Sequence, residues 1–279
     1  MKQIHYLNGK YVTEEKLLIS PRDLGFARGF AVFDYLRTYN NKLFKLNEHL
    51  ERLLKSAKLI NLRHDYNLNQ LVRIVQTTFE KNKHIKGEKT ARIFLSGGIS
   101  KSLHQSSKAT LVVVVDPFKP RKREIYKNGI KAGLVNFVRY IPKAKTTNYL
   151  EAIRKIQDDA QNDKYELFYY TNKQVYEGLT SSVFVVKDGK IYTPKNNVLL
   201  GTTRGVLLRD LRRELHVIEK DFNLNFLLNA DEIFIASSGK GIVPVVEVEG
   251  NSIGDSCVGK ITRMVMKTFK SFTMNHDLN

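Results

Sequence analysis

The chain contains only one cysteine, Cys257, and its seven histidines are scattered over 279 residues. A single cysteine excludes an internal disulfide and a cysteine-rich zinc site, and no histidine spacing indicates another metal site. No segment approaches the ~20 consecutive apolar residues that a membrane-spanning helix needs, and residues 1–6 lack the apolar region of a signal peptide. We therefore expect a cytoplasmic protein without a metal ion or a membrane anchor.

Acidic residues are few relative to basic ones: 28 Asp and Glu stand against 46 Lys and Arg, for a net charge of +18. Such a surplus occurs in nucleic-acid-binding proteins, in membrane-surface proteins and in enzymes with anionic ligands. Here the basic residues are scattered, and the one dense cluster, residues 119–123, is short. Zinc-finger spacing, an RNP-like strand, a zipper, a P-loop and a dinucleotide fingerprint are all missing. We expect a basic, solvated surface rather than a nucleic-acid site.

The hydrophobic pattern predicts a folded chain of mixed secondary structure, with 42% apolar and 27% charged residues. Tight hairpin turns are predicted at Asn8-Gly9 and Asp188-Gly189, and strand formers alternate over 30–45 around Asn40-Asn41. Apolar periodicity predicts helices at 46–60, 68–81, 147–161, 203–215 and 257–272, and strands at 91–96, 109–115, 130–138, 166–170, 183–187, 190–192 and 232–236.

A proline-containing basic segment divides the chain. Two prolines and the basic cluster between Asp116 and Glu124 suit neither a helix nor a central strand. We therefore expect a small α/β domain over residues 1–117, a connector over 118–124 and a larger domain over 125–279. Many strands and few long helices favour an α/β (α+β) fold whose larger domain has a mixed, barrel-like sheet, rather than a doubly wound parallel sheet.

Three separated segments could carry chemistry. Lys145 lies between a predicted strand and a predicted helix, where a desolvated lysine could attack an aldehyde. Glu177 begins a hydroxyl-rich turn that leads into a strand, and residues 201–205 (GTTRG) precede a helix whose first backbone amides suit a phosphate. Each segment also has an ordinary explanation, as a solvated lysine, a turn glutamate or a helix cap.

In this order and spacing, the three segments resemble the fold-type IV enzymes that use pyridoxal 5′-phosphate (PLP). This group contains branched-chain aminotransferases, D-amino-acid aminotransferases and aminodeoxychorismate lyases. The resemblance covers nearly the whole chain and includes residues 7–9 (LNG), 46–53 (LNEHLERL), 145–148 (KTTN) and 243–245 (VPV). It implies a two-domain fold with the cofactor in the interdomain cleft. It also implies a homodimer in which residues near 97–107 complete the neighbouring active site.

The resemblance also implies a role for each candidate residue. Lys145 would form a Schiff base with PLP and later carry a proton between the substrate α-carbon and the cofactor, and Glu177 would face the pyridine nitrogen. The other cofactor contacts it implies are Arg52, Thr202, Thr203, Ser238 and Gly239 at the phosphate, and Tyr149 at the O3′ hydroxyl.

The substrate signals conflict. Phe33 and Arg37 stand in a segment similar to the Phe-Glu-x-x-Arg of branched-chain enzymes, with Asp34 replacing the Glu. The Lys145-x-x-Asn148 spacing is that of D-amino-acid enzymes and lyases, yet only His104 remains of the Arg-x-His pair with which D-amino-acid enzymes bind the α-carboxylate.

We predict an aminotransferase acting between a small amino acid, branched-chain or related, and a 2-oxo acid such as 2-oxoglutarate. The alternatives are an aminodeoxychorismate lyase that releases pyruvate, a D-amino-acid aminotransferase, and a non-catalytic basic binding protein on the same fold.

Overall fold

The computed structural model describes residues 2–158 and 164–275, which form two compact units. The first unit contains residues 2–119 together with Lys143–Tyr149, and the second contains Pro120–Pro142 and the described residues from Leu150 onward. Within the described residues, no helix is both long and apolar enough to cross a membrane. The same part of the chain contains no cluster of His, Cys, Asp and Glu side chains that could hold a metal ion.

The first unit is a six-stranded antiparallel sheet with helices packed on one face. Its strands are β1 (Ile4–Leu7), β2 (Lys10–Thr13), β3 (Ala31–Tyr39), β4 (Lys42–Leu43), β5 (Lys89–Ser96) and β6 (Thr110–Pro117), in the order β2-β1-β6-β5-β3-β4. Its helices are α1 (Leu24–Arg28), α2 (Leu46–Leu59) and α3 (Leu68–Glu80). The predicted hairpin at Asn8-Gly9 is confirmed, because both residues have the positive φ that a tight turn requires.

The alternation of β3 separates core residues from site residues. Val32, Asp34 and Leu36 are fully buried on the face that α2 covers, whereas Phe33 and Arg37 lie on the opposite, half-buried face. The apolar stripe of α2 packs on the first of these faces, as its three- and four-residue spacing predicts. Helix α3 begins at a capping box formed by Asn67 and Gln70.

The segment around Lys145 belongs to the first unit, although the predicted domains placed it in the second. The Phe33 N–H donates to the Lys145 carbonyl oxygen at 2.9 Å, and the Thr147 N–H donates to the Ala31 carbonyl oxygen at 3.1 Å. These backbone hydrogen bonds attach the segment to β3. The sequence alone does not indicate that the chain returns to the first unit at Lys143–Tyr149 after the second unit has begun.

The second unit is built on a ten-stranded mixed sheet. Its strands are β7 (Ile130–Asn136), β8 (Glu166–Thr171), β9 (Gln174–Gly178), β10 (Ser182–Lys187), β11 (Lys190–Thr193), β12 (Val217–Glu219), β13 (Phe222–Asn223), β14 (Glu232–Ser237), β15 (Gly241–Val248) and β16 (Asn251–Ser252). The strand order is β12-β11-β10-β14-β15-β7-β8-β9-β13, and β16 pairs with β15. The pairs β15–β7, β7–β8 and β11–β12 are parallel and the others antiparallel, so the predicted mixed sheet is confirmed.

Five helices accompany this sheet: α4 (Glu124–Lys127), α5 (Leu150–Asp158), α6 (Thr202–Gly205), α7 (Leu224–Leu228) and α8 (Lys260–Asn275). The predicted helix at 203–215 is wrong in its length. Helix α6 passes into one π-helical turn, in which the Leu211 N–H donates to the Val206 carbonyl oxygen at 2.9 Å, and the regular helix does not continue. The last residues of the predicted helix at 147–161 lie outside the described residues.

Strand β15 was not among the predicted strands, and it contains Pro244, which has no N–H to donate. In the structure, β15 pairs with β7 only from Val245 onward, so Pro244 has a paired neighbouring strand only on the β14 side. A proline is tolerated there because the second ladder begins one residue later.

Candidate active site

The main chain of Lys145 is fixed on both sides within the first unit. Its N–H donates to the Ser56 hydroxyl oxygen of α2 at 3.0 Å, while its carbonyl oxygen accepts from the Phe33 N–H of β3. The Ser56 hydroxyl in turn donates to the Arg52 carbonyl oxygen at 2.7 Å. The Lys145 Nζ lies 4.5 Å from the centroid of the Phe33 ring. The lysine is therefore held by a helix and a strand while its amine lies over an aromatic face.

A buried ionic cluster lies one helical turn from this lysine contact. The Arg52 guanidinium donates to Asp34 through Nε at 2.8 Å and through Nη2 at 2.7 Å, a two-pronged contact with both carboxylate oxygens. The His49 Nδ1 lies 2.6 Å from Asp34 Oδ1. The side chain of Asp34 is fully buried and that of Arg52 is 11% exposed. Asp34 thus fixes the position and plane of the guanidinium.

The protonation states in this cluster follow from burial and charge. Burial by itself would raise the pKa of Asp34, but the charges and hydrogen bonds of Arg52 and His49 outweigh it and hold that pKa below its ordinary value. Burial lowers the pKa of His49. Near neutral pH the cluster therefore contains an ionised carboxylate, a guanidinium and a neutral imidazole, which donates from Nδ1 to Asp34.

Phe33 and Arg37, the two predicted substrate residues of β3, lie at different places along the strand. The Phe33 ring stacks on Phe94, with centroids 5.9 Å apart, and meets the edge of the Tyr149 ring at 5.8 Å. Phe33, Tyr149 and Lys145 therefore lie together. Arg37 is four residues further along the strand, roughly 13 Å away at ~3.3 Å per residue. There its Cζ lies 3.5 Å from the Phe118 ring centroid.

His104 lies on an exposed loop whose shape is set by serine hydroxyls. The Ser100 hydroxyl donates to the His104 carbonyl oxygen at 2.7 Å, and the His104 N–H donates to the Ser102 hydroxyl oxygen at 3.2 Å. Gln105 is bound to Arg63 through side-chain and main-chain hydrogen bonds. The structure thus fixes the main chain of this loop and leaves the His104 side chain exposed.

Glu177 is the central acidic residue of the second unit. It lies near the end of β9, 6% exposed. Its Oε1 accepts from Arg139 Nε at 2.9 Å and from Arg139 Nη2 at 2.6 Å, and its Oε2 accepts from the Leu199 N–H at 2.9 Å. All three contacts favour an ionised carboxylate. Arg139 was missed in the sequence, because nothing local distinguishes it among the other basic residues.

The predicted phosphate-binding segment, residues 201–205, begins two residues after Leu199, whose N–H donates to Glu177. The Leu199 carbonyl oxygen accepts from the Gly201 N–H at 2.8 Å, and Gly201 begins α6, where Thr202 and Thr203 are buried. A Cβ on Gly201 would lie 3.0 Å from the Ser182 hydroxyl oxygen, so a larger residue here would require Ser182 to shift by a few tenths of an ångström.

Ser238 and Gly239 lie in the turn between β14 and β15. The residue after them, Lys240, contacts Glu166 and Thr180. The Lys240 Nζ donates to Glu166 Oε2 at 2.6 Å and to the Thr180 hydroxyl oxygen at 2.7 Å. Glu166 is 3% exposed, so this is a buried ion pair. The sequence indicated neither partner, because the two residues are 74 positions apart.

Residues 31–248 match the family model described as amino-transferase class IV. The chain belongs to this family. It is similar to a D-alanine aminotransferase of Staphylococcus haemolyticus, with 30% identity over 274 residues that cover 96% of each chain. It is also similar to the solved structure of a branched-chain aminotransferase from Thermoproteus uzoniensis with norvaline, with 26% identity, a TM-score of 0.89, and 99% of this chain and 96% of that chain covered.

A branched-chain aminotransferase from Thermobaculum terrenum, solved in its PLP form, shows the same fold with a TM-score of 0.87 at 21% identity, covering 99% of this chain and 95% of that one. The predictions of a fold-type IV chain and of an aminotransferase enzyme are confirmed by the family and these likenesses.

Proposed function

We propose that this class IV aminotransferase uses PLP to move an amino group between a small amino acid, branched-chain or related, and a 2-oxo acid such as 2-oxoglutarate. The observation that carries the proposal is the fixed main chain of Lys145, whose amine lies over Phe33. The names of the relatives, D-alanine and branched-chain aminotransferases, support the reaction class. We further propose that the enzyme works in the cytoplasm as a homodimer.

The described residues fit PLP on their own chemistry. The cofactor needs an amine for its aldehyde, an anion for its ring nitrogen and cationic or N–H donors for its phosphate. Lys145 supplies the amine, and Glu177 supplies an anion held by a guanidinium and a backbone N–H. Arg52 supplies a guanidinium whose orientation Asp34 sets. The turn at Gly201 leads into α6, whose first backbone N–H groups would supply donors.

When bound, PLP supplies an electrophilic carbon for amines and a ring that withdraws electrons from the substrate α-carbon. Lys145 Nζ would remove the α-proton and return it, acting as a general base and acid at a single position. Glu177 would hold a proton at the ring nitrogen, since both of its oxygens are fixed and it accepts hydrogen bonds only. Arg139 would keep that carboxylate ionised and oriented.

The remaining contacts are proposed residue by residue. The phosphate would be bound by Arg52, Thr202, Thr203, Ser238 and Gly239, and Tyr149 would donate to the O3′ hydroxyl. The substrate would meet Phe33, Arg37 and His104. The Arg37 Cζ lies 4.3 Å from the centroid of the Tyr39 ring and 3.5 Å from that of Phe118. Arg37 would bind substrate from this position.

The cofactor is tested by colour and spectrum. The purified protein should be yellow, with a visible absorption band that Lys145→Ala abolishes while the thermal melting curve stays cooperative. A colourless protein that does not take up added PLP would contradict the proposal and favour the non-catalytic alternative.

The substrate is tested by a panel of single amino acids. Each L- and D-amino acid is added to the holoenzyme, and loss of the visible band reports amino transfer to the cofactor. The D-alanine aminotransferase relative supports the D-amino-acid alternative, so D-alanine and L-leucine are the decisive pair. Pyruvate release from aminodeoxychorismate, with no amino transfer to 2-oxoglutarate, would instead identify the lyase.

A further inference from the structure

A groove of about 390 Å³ opens on the first unit, beside α3. Tyr6, Tyr66, Gln70, Arg73 and Ile74 line it. Its volume lies in the range of small-molecule sites, ~300–1,000 Å³. None of these five residues belongs to the candidate active site. The groove is thus a second place where a ligand could bind, and the proposed function does not account for it.

The Gln70 amide and the Tyr6 hydroxyl keep hydrogens that a ligand could accept, whereas the Tyr66 hydroxyl already donates its hydrogen to Tyr6. Gln70 Oε1 accepts from the Asn67 N–H at 2.9 Å in the capping box, which leaves the amide hydrogens of Gln70 for a ligand. The Tyr6 hydroxyl oxygen accepts from the Gly9 N–H and from the Tyr66 hydroxyl, and neither of these hydrogen bonds uses the hydroxyl hydrogen of Tyr6. Burial raises the pKa of Tyr66 to about 12, so both phenols stay protonated at neutral pH.

Arg73 adds a positive charge to these donors. Its Nε donates to the Asn69 carbonyl oxygen at 3.4 Å, and no carboxylate among the described residues lies within ion-pair distance of its guanidinium. Lys81 lies behind Tyr6, because its Nζ is 4.9 Å from the centroid of the Tyr11 ring, which meets the Tyr6 ring at 5.4 Å. The opposing charge is Asp65, an exposed carboxylate that acts on Tyr66 from a distance.

Apolar surface completes the groove. Ile74 packs partly buried against the core of the unit, as does Tyr66, and the Tyr6 ring is 6% exposed. We infer that this groove binds a small organic anion, a carboxylate carried on an aromatic or aliphatic body. The carboxylate would meet Arg73 and the Gln70 amide, and the body would rest on Ile74 and the tyrosine rings.

The probe is 4-fluorophenylacetate, and its binding to the purified holoenzyme is followed by ligand-observed fluorine NMR. The neutral 4-fluorophenylacetamide has the same body without the charge. We expect saturable binding with a dissociation constant of about millimolar, as suits so small a ligand. Arg73→Gln should weaken it at least about tenfold, the loss expected for one charge-assisted contact. The matched control is Arg263→Gln, which removes an exposed helical arginine on α8 of the second unit.

The charge dependence separates this groove from any other carboxylate site. In the unmodified protein the amide should bind about tenfold more weakly than the carboxylate, and Arg73→Gln should remove that preference, whereas Arg263→Gln should keep it. Activity without the probe should be unchanged in both variants, whether or not the proposed reaction is correct. Equal binding of the carboxylate to Arg73→Gln and the unmodified protein, or no saturable binding at all, would overturn the inference.

Discussion

Replacing Asp34 by Asn should destabilise the first unit strongly, although the two side chains have nearly the same shape. Asp34 is fully buried and takes two hydrogen bonds from Arg52 and one from His49. An asparagine would turn its amide hydrogens toward the Arg52 donors and remove the carboxylate that this buried guanidinium binds through two hydrogen bonds. Removing one partner of a buried ion pair costs about 3–5 kcal/mol, so the unfolding free energy should fall by that amount.

The matched control lies on the same sheet. Asp116 pairs with Arg92 at 2.9 Å, but the two side chains are 33% and 49% exposed. Exposed pairs contribute about 0–1 kcal/mol, so Asp116→Asn should barely move the urea unfolding midpoint. The assay is urea unfolding of both variants, followed by circular dichroism at pH 7. If Asp34→Asn loses no more stability than Asp116→Asn, the buried cluster does not stabilise the fold as argued.

The pH dependence provides a second readout of the same cluster. Because the pKa of Asp34 is lowered in the folded protein, the unfolded chain binds its proton first, and stability falls as the pH drops below ~5. His49 acts in the same direction below ~6.5, since its pKa is also lowered by burial. Asp34→Asn removes the first contribution. Its unfolding free energy should therefore fall less steeply between pH 5 and pH 3, by up to ~1.4 kcal/mol per pH unit.

Substitutions at two buried ion pairs, each with a control, test the second unit. Arg139→Gln should lower the rate of amino transfer about tenfold or more, because Glu177 loses a charge-assisted partner, and single-turnover kinetics should show this loss at a temperature where circular dichroism reports the variant as folded. Arg139→Lys should recover part of that rate. Glu166→Gln should lower the unfolding free energy by about 3 kcal/mol, because Lys240 stays buried without its carboxylate. Glu247→Gln, which breaks a more exposed pair, should cost under ~1 kcal/mol by the same urea assay.

Local sequence signals predicted local structure well. Asn8-Gly9 and Asp188-Gly189 both occupy positive φ in hairpin turns, and the apolar spacing of α2 and α3 located both helices. Signals failed where the deciding partner is distant in sequence. Strand β15 was not predicted, and it accommodates Pro244 because its pairing with β7 starts one residue later.

The candidate site shows the same contrast between local signals and partners that are distant in sequence. Lys145 and Glu177 were identified by family motifs, whereas the residues that orient them were not. Arg139 is 38 positions from Glu177, and no spacing rule connects the two. His49 is different, because it lies one helical turn before Arg52 on α2 and could have been recognised as a neighbour. Its partner Asp34 lies on the buried face of β3, which the alternation of that strand indicates.

Three buried carboxylates each identify a cation that is held in a fixed position in this very basic chain. With 46 Lys and Arg, a cation by itself indicates nothing. Asp34, Glu166 and Glu177 are each less than a tenth exposed. Each forms an ion pair with one Lys or Arg side chain. A buried charge has to be paired to be tolerated, so a search for interior acids in strongly basic sequences would find these pairs sooner than a search for basic motifs.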